Sequence, residues 1–202
     1  MKRILLLGTV ICILLCAITA CNGTKQEETT DTVPLSEPLL EPLTFQSFEE
    51  YEQYEKQAKA TPDGYYVPAT LPEGSELKRI SKREGVYVSA VFNVPTEVKV
   101  GESLSEYDRE RLHTLTCVYY LYEDGSIALQ NTFIPNGFKP VEYNGKEYYC
   151  MTEYATGTSE QIPTGYEIVF LEDGQLIYMH LPALDTLESM MKYADVVKVT
   201  PS

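Results

Sequence analysis

Apolar residues recur at helical spacing near both ends of the region 45–202, and each of these stretches predicts a helix. In the first, Ser47-Phe48-Glu49-Glu50 has the form of a capping box, in which a serine and a later glutamate satisfy free backbone amides. Apolar side chains then follow every three or four residues, until Pro62-Asp63-Gly64 ends the pattern, at Phe48, Tyr51, Tyr54 and Ala58.

The second amphipathic stretch follows Pro182, where Asp185 precedes Glu188 by three residues, as an acidic N-cap does. Its apolar side chains make a single stripe formed by Leu184, Leu187, Met190, Met191 and Ala194. Such a stripe is typical of a helix face packed on a sheet, and a binding surface for a partner is the alternative. We therefore expect a C-terminal helix that covers a sheet.

Between the two helices, strand-like runs are separated by four turn sequences, namely Arg83-Glu84-Gly85, Glu123-Asp124-Gly125, Asn144-Gly145 and Glu172-Asp173-Gly174. Asn-Gly and Asp-Gly pairs accept the positive φ that tight hairpin turns require. Four hairpins predict an antiparallel β-meander of about eight strands. The predicted fold class is therefore α+β, with a helix packed on the sheet at each end. The polar stretch Thr96–Arg109 interrupts the meander as a loop or a short helix.

The start of the chain has the layout of a secretory signal, because Lys2 and Arg3 precede an uncharged apolar run from Ile4 to Ile18. As a helix, the 17 residues from Ile4 to Ala20 would span roughly 25 Å, less than the roughly 30 Å of membrane hydrocarbon. Ile18-Thr19-Ala20-Cys21 resembles the bacterial lipobox, whose cysteine receives diacylglycerol. Residues 1–20 are therefore predicted to be a lipoprotein signal peptide. Lipid on Cys21 would anchor the chain to the outer face of the cytoplasmic membrane.

Residues 21–44 predict a disordered tether, because after Cys21 they contain three prolines and no aromatic residue. Residues 45–202 have the length of one domain. Without Lys2 and Arg3 the chain has 14 basic residues against 30 acidic ones, a formal charge of −16. Such a surface repels nucleic acid, so we expect no nucleic-acid partner.

The region between the two predicted helices and its flanks contains four further short motifs, namely Val67-Pro68-Ala69-Thr70-Leu71-Pro72-Glu73-Gly74-Ser75, Val141-Glu142-Tyr143-Asn144-Gly145-Lys146-Glu147-Tyr148-Tyr149, Gly165-Tyr166-Glu167-Ile168-Val169-Phe170 and Tyr193-Ala194. Together they resemble an extracytoplasmic domain family of Gram-positive bacteria, the domain of unknown function number 4367. The resemblance covers roughly Tyr66–Val199. Members often have a tryptophan in the penultimate strand, and this chain contains none. The resemblance implies an antiparallel sheet with a packed terminal helix and a binding or sensing role in a Gram-positive cell, and it supplies no catalytic residue.

Candidates for catalysis or metal binding are few. The only histidines are His113 and His180, and no nucleophile motif accompanies them. Zinc binding by these two with Cys117 and Cys150 would have a spacing that matches no zinc motif. No catalytic residue, metal ligand or cofactor is therefore assigned. Paired carboxylates in a sheet cleft are the alternative, and they would make the chain an extracytoplasmic hydrolase.

Cys117 and Cys150 lie in predicted strands, and both remain after lipidation of Cys21. An even pair outside the cytosol favours a disulfide, whereas buried free cysteine behaves as a small hydrophobe. We expect two buried free thiols, with the disulfide as the alternative.

Tyrosines crowd the middle hairpins and are the candidate ligand face, formed by Tyr119, Tyr120, Tyr122, Tyr143, Tyr148, Tyr149 and Tyr154. Aromatic rings on a sheet can stack on sugars, peptides or apolar ligands, and they also fill cross-strand pairs. With export indicated and catalytic motifs lacking, we expect a non-catalytic module that binds or senses a cell-envelope component or a partner protein.

Overall fold

The computed structural model describes residues 41–58, 64–96, 104–121, 124–156 and 161–201. The predicted signal, Cys21 and the tether as far as residue 40 lie outside the described residues. Residues 40–202 form one compact unit. Its architecture is α+β and is dominated by an antiparallel sheet. Leu43 and Thr44, which precede the predicted domain boundary at residue 45, pair with Lys82 and Ser81.

The strands of the described residues are, in chain order, β1 (Leu43–Phe45), β2 (Tyr65–Pro68), β3 (Glu76–Arg83), β4 (Tyr87–Asn93), β5 (Thr114–Tyr120), β6 (Lys139–Tyr143), β7 (Lys146–Tyr154), β8 (Pro163–Glu172), β9 (Gln175–Pro182) and β10 (Val196–Val199). Eight of them form the main sheet in the order β1-β3-β4-β5-β9-β8-β7-β6. The strands β2 and β10 pair separately as a two-stranded antiparallel sheet.

The helices of the described residues are α1 (Phe48–Ala58), α2 (Glu106–Leu112), α3 (Gly125–Ala128) and α4 (Leu187–Met190). A π-helical turn (Leu129–Phe133) and a 3₁₀ turn (Ile134–Asn136) continue α3, and a second 3₁₀ turn (Met191–Tyr193) continues α4. The capping box forms at α1, where Ser47 Oγ accepts from the backbone N–H of Glu50 at 3.2 Å. Thr186, rather than Asp185, caps α4. The helix α2 lies at the end of the stretch predicted to be a loop or a short helix.

Three of the four predicted hairpin turns are confirmed. They join β3 to β4, β6 to β7 and β8 to β9. At the last two turns Asn144 and Asp173 have φ values of 51° and 49°, and the glycine after each also has positive φ. The Asn-Gly and Asp-Gly pairs therefore adopt the positive φ values that tight hairpin turns require.

The fourth hairpin prediction, at Glu123-Asp124-Gly125, is wrong, and so is the simple meander that it implied. Asp124 instead caps α3 by accepting from the N–H of Ser126 at 2.9 Å. Gly125 is required by close packing, because a Cβ there would lie 2.7 Å from the backbone nitrogen of Leu176. The strand β5 pairs with β9, which follows it by more than fifty residues. The Asp-Gly pair at 124–125 therefore provides a helix N-cap and a close approach of two backbone segments, not a hairpin turn.

Side chains alternate between the two faces of the main sheet, and each face has its own apolar core. The front face, which carries Cys117, Ile168 and Met179, packs against α1, the β2–β10 sheet and α4. A buried ion pair between Lys82 and Glu55 ties α1 to β3 on this face. The back face has a smaller core, formed by Val169, Leu176, Leu129 and Phe138.

Candidate functional site

The seven predicted ligand tyrosines do not share one face. Tyr119 is buried in the front core, where its ring centroid lies 5.1 Å from that of Tyr66. Tyr120 and Tyr149 pack on the back face, and Tyr122 lies outside the described residues. The remaining three, Tyr143, Tyr148 and Tyr154, line cavities on the front face. Successive side chains of a strand point to opposite faces of the sheet, so tyrosines that are close together in the sequence lie on different faces.

These three tyrosines line a groove between the edge strand β6 and the C-terminal helical segment, which we call the front-face groove. It consists of three cavities of about 380, 410 and 250 Å³. The first two share Val141 and Leu187, and the last two share Tyr143 and Met191. Because neighbouring cavities share lining residues, the three lie side by side along this face, and the two larger ones are within the size range of ligand sites.

The first end of the front-face groove is lined by Lys139, Thr152 and Tyr154. Tyr154 leaves 47% of its surface exposed, which is unusual for so large a side chain. At the other end lie Asn144, Lys192 and Asp195. The groove thus combines apolar and polar side chains along its whole length.

Charged groups at the groove come in both signs. Lys146 forms an ion pair with Glu172, and its ammonium lies 4.2 Å from the ring centroid of Phe170. Burial raises the pKa of Tyr148 to about 12, so its hydroxyl stays protonated and can both donate and accept hydrogen bonds. The site therefore offers neutral phenols beside fixed charges.

The edge strand β6 forms one wall of the groove and is protected against strand addition. The two-residue turn between β6 and β7 is flanked by the pair Tyr143–Lys146, whose backbones are hydrogen-bonded to each other. In an antiparallel ladder every second pair is hydrogen-bonded, so Val141 and Lys139 also direct their backbone groups toward β7. The intervening residues Pro140 and Glu142 direct their backbone groups outward. Proline has no N–H, so Glu142 alone has an outward amide donor in β6.

A second polar group, which we call the back-face cluster, lies where α2 packs on β7, β8 and β9. Its members are Arg111, Glu153, Glu167, Tyr178 and His180. Nη2 of Arg111 lies 2.9 Å from Oε1 of Glu167 and also pairs with Glu153. The hydroxyl of Tyr178 donates to the same Glu167 oxygen at 2.8 Å.

The histidine of this cluster is held on both ring nitrogens. Nδ1 of His180 lies 2.7 Å from Nη2 of Arg111, and Nε2 lies 2.9 Å from the backbone oxygen of Arg111. Only 2% of its surface is exposed. The opposite strand must carry glycine at 165, because a Cβ there would lie 2.0 Å from Cε1 of His180.

Burial and neighbouring groups shift the pKa values of Glu153 and His180 in opposite directions. Burial, together with a hydrogen bond to Glu167, raises the pKa of Glu153 to about 7. Burial, together with the positive charge of Arg111, lowers the pKa of His180 to about 4. At neutral pH the histidine is therefore neutral, and Glu153 titrates close to its midpoint.

These acids are the paired carboxylates that the hydrolase alternative needs, but their geometry does not suit glycoside cleavage. That chemistry holds its two carboxyl groups about 5 to 9.5 Å apart, with the substrate between them. Nη2 of Arg111 pairs with both Glu153 and Glu167, so its guanidinium lies between the two carboxyl groups. The space between the acids is thus filled by the protein itself.

The residues considered for zinc do not come together. Cys117 and Cys150 lie on the front face, whereas His180 lies on the back face. His113 lines a separate cavity with Gly74 and Pro95. Within the described residues, no group of three or more histidine, cysteine or acidic side chains has a metal-binding arrangement.

Both cysteines are free and buried. They stand in one row across the sheet, since Cys117 pairs with Met179, Met179 with Ile168 and Ile168 with Cys150. Three strand spacings separate them by about 14 Å, twice the Cα separation of about 7 Å that a disulfide allows. The expectation of two buried free thiols is confirmed. The strands β9 and β8 lie between β5 and β7 and keep the two cysteines apart.

Among the described helices, none is both long and apolar enough to cross a membrane. Comparisons with known protein families, with curated proteins and with solved structures find no match for this chain. The resemblance carried by the short motifs therefore stays a prediction, and the site must be interpreted from its own geometry.

Proposed function

We propose that this chain is a membrane-anchored extracytoplasmic lipoprotein and that its domain is a non-catalytic binding or sensing module for a cell-envelope component. Anchoring is supported by the Ile18-Thr19-Ala20-Cys21 sequence behind an apolar run. In this proposal the ligand occupies the front-face groove. The family resemblance, with its implied binding or sensing role, agrees with the proposal.

The observation that carries the proposal is the row of three adjoining cavities together with its position in the sheet. The groove lies along β6, the edge strand opposite β1. Seven strand spacings separate these edges by about 34 Å. Because β1 follows the predicted tether, a ligand would approach the edge farthest from the point where the anchored chain enters the domain.

The hydrolase with paired carboxylates is the less favoured function. Glu153 and Glu167 would have to separate from each other and from Arg111 before a substrate could enter between them. The groove requires no such rearrangement, so the geometry favours binding.

The groove is tested by site-specific photo-crosslinking in intact cells. Benzoylphenylalanine would be placed at position 154 in the groove and, as the matched control, at position 107 on α2. Both positions carry an exposed tyrosine, at 47% and 59% exposure, so each change replaces one aromatic ring by another. We expect a discrete adduct from position 154 and background labelling from position 107. Labelling at background level from both positions would contradict the proposal.

The anchor is tested separately by Cys21→Ala, which removes the sulfur that accepts lipid. We expect the variant to be either unprocessed or released from the membrane, and metabolic labelling with a fatty acid should fail. A processed, membrane-bound variant like the wild type would show that anchoring does not use this residue.

A further inference from the structure

The walls of the front-face groove combine short apolar surfaces with groups that make hydrogen bonds. Val141, Leu187 and Met191 form a small apolar centre, beside Glu142 and Glu188. Tyr143 and Tyr154 add aromatic rings whose hydroxyls both donate and accept. A ligand that fits this surface has apolar patches and many hydroxyl or amide groups.

The charge of the groove argues against a strongly charged ligand. Its lining includes three lysines, Lys139, Lys146 and Lys192, and three acidic residues, Glu142, Glu188 and Asp195. One of the lysines, Lys146, is already paired with Glu172. The full chain has a formal charge of −14, so its long-range field also disfavours polyanions. The balance favours a ligand without net charge.

The edge of the sheet argues against an extended peptide. Peptides that add a strand gain affinity from a row of main-chain hydrogen bonds. Pro140 removes one outward donor from the five-residue strand β6. Glu142 alone would then supply an outward amide, so the gain from strand addition is small.

We propose that the front-face groove binds a neutral saccharide, so that the envelope component is a glycan. This inference rests on the proposed function and specifies its ligand. The C–H face of a sugar ring stacks on the ring of Tyr154 or Tyr143, while its hydroxyl and acetamido groups bond with phenols, Thr152 and Asn144. The apolar centre accommodates the less polar side of the chain of sugars.

The test is a ligand-observed NMR titration of the full-length lipidated protein in detergent micelles. The probe is a tetrasaccharide of β-1,4-linked N-acetylglucosamine, which is neutral. Tetragalacturonate serves as an anionic saccharide of similar length, and Tyr107→Ala as a control that removes an exposed tyrosine outside the groove. We expect saturable binding of the neutral probe, weaker binding of the anionic one and no change in Tyr107→Ala.

The groove variants Tyr154→Ala and Tyr143→Ala should each weaken binding of the neutral probe about fivefold to tenfold, as loss of an aromatic contact does. Their melting temperatures should match that of the wild type, which separates lost binding from lost folding. Equal binding by the wild type and both groove variants would overturn the inference, as would a preference for the anionic probe or a failure of the neutral one to bind.

Failure of this inference is distinguishable from failure of the proposed function. A position-154 adduct that a glycan-cleaving enzyme leaves intact, and whose crosslinked partner yields peptides absent from this chain in mass spectrometry, would overturn the saccharide inference while supporting a binding module. An adduct digested by the glycan-cleaving enzyme supports both. Background labelling from position 154 would instead contradict the binding module itself.

Discussion

The front-face groove and the back-face cluster are both polar regions set into the same sheet, but only one of them is open. In the back-face cluster Arg111, Glu153 and Glu167 contact one another, and His180 is bonded on both nitrogens. In the groove Tyr154 is half exposed, and three cavities lie between strand and helix. Charged side chains that contact one another therefore mark where the fold is held together, whereas an open arrangement of separated groups marks where a ligand fits.

This difference shows why a strongly shifted pKa is, on its own, a poor guide to the location of a functional site. Residues with shifted pKa values cluster at active sites, but ion-pair networks that join structural elements shift pKa values too. Here Arg111 fastens α2 to β7 and β8. Asp108 fastens the same helix to Thr156 through a 3.1 Å hydrogen bond. The cluster is explained by the attachment of α2.

The strongest test of this comparison is Arg111→Met, which removes the cation that pairs with both Glu153 and Glu167. We expect a loss of about 3 to 5 kcal/mol in the free energy of unfolding, the cost of breaking a buried ion pair. Chemical denaturation measures it, with Lys139→Met on the exposed start of β6 as the control, which should change stability by less than about 0.5 kcal/mol. A loss below about 1 kcal/mol would show that the cluster does not hold the fold together.

The next prediction concerns pH and uses Glu153→Gln. In the folded protein the pKa of Glu153 is raised from 4.5 to about 7, so its contribution to stability falls as the pH rises through this range. The pKa of His180 is lowered from 6.5 to about 4, so its contribution rises with pH between those values. In the wild type the two contributions oppose each other between about pH 4.5 and 6.5.

Glu153→Gln removes the contribution of Glu153 to the pH dependence of stability and leaves that of His180. We expect the stability of the variant to rise with pH between about 4 and 6.5, by up to about 1.4 kcal/mol per pH unit. The wild type should be nearly flat over the same range. Denaturant unfolding at several pH values measures both curves. Parallel curves for the two proteins would mean that Glu153 does not retain its proton in the folded state.

Gly165→Ala tests the packing of the cluster. The added Cβ would lie 2.0 Å from Cε1 of His180, so the ring or the strand must move. Such overpacking costs about 1 to 3 kcal/mol. In a double-mutant cycle with His180→Ala the cost should disappear, because the ring that clashes is gone. An equal cost with and without the histidine would place the strain elsewhere.

The smallest effect on stability is expected from the groove. Tyr154→Ala should change the free energy of unfolding by less than about 0.5 kcal/mol, since the side chain is half exposed. Thermal unfolding of the variant beside the wild type provides the measurement. A loss of more than about 1 kcal/mol would show that Tyr154 has a structural role, and the contrast between groove and cluster would then weaken.

Local features of the fold could be predicted from the sequence, and long-range ones could not. Asn144-Gly145 and Asp173-Gly174 specify their turns through backbone conformation alone. The pairing of β5 with β9 depends on residues far apart in the chain. An Asp-Gly pair at 124–125 gave the same signal as a true hairpin, and only its closeness to β9 distinguishes it.

The two polar regions were unequally visible in the sequence. Tyrosines indicated the groove, but their division between faces required the strand register, which placed three of the seven there. The cluster was missed because Arg111, Glu153 and His180 come from separate elements. One signal was present: Glu167 is the acid within the run Tyr166–Leu171, whose other residues are apolar, and an acid that is largely buried requires a partner.

The most direct test of the central claim compares adduct formation from benzoylphenylalanine at position 154 in two backgrounds. Leu187→Arg places a long side chain in the middle of the groove, whereas Glu153→Gln changes the cluster on the opposite face. Melting temperatures would verify that both proteins fold. We predict that Leu187→Arg reduces the adduct to background and that Glu153→Gln leaves its yield unchanged. An adduct that survives Leu187→Arg, or one that is lost with Glu153→Gln, would contradict the assignment of binding to the groove.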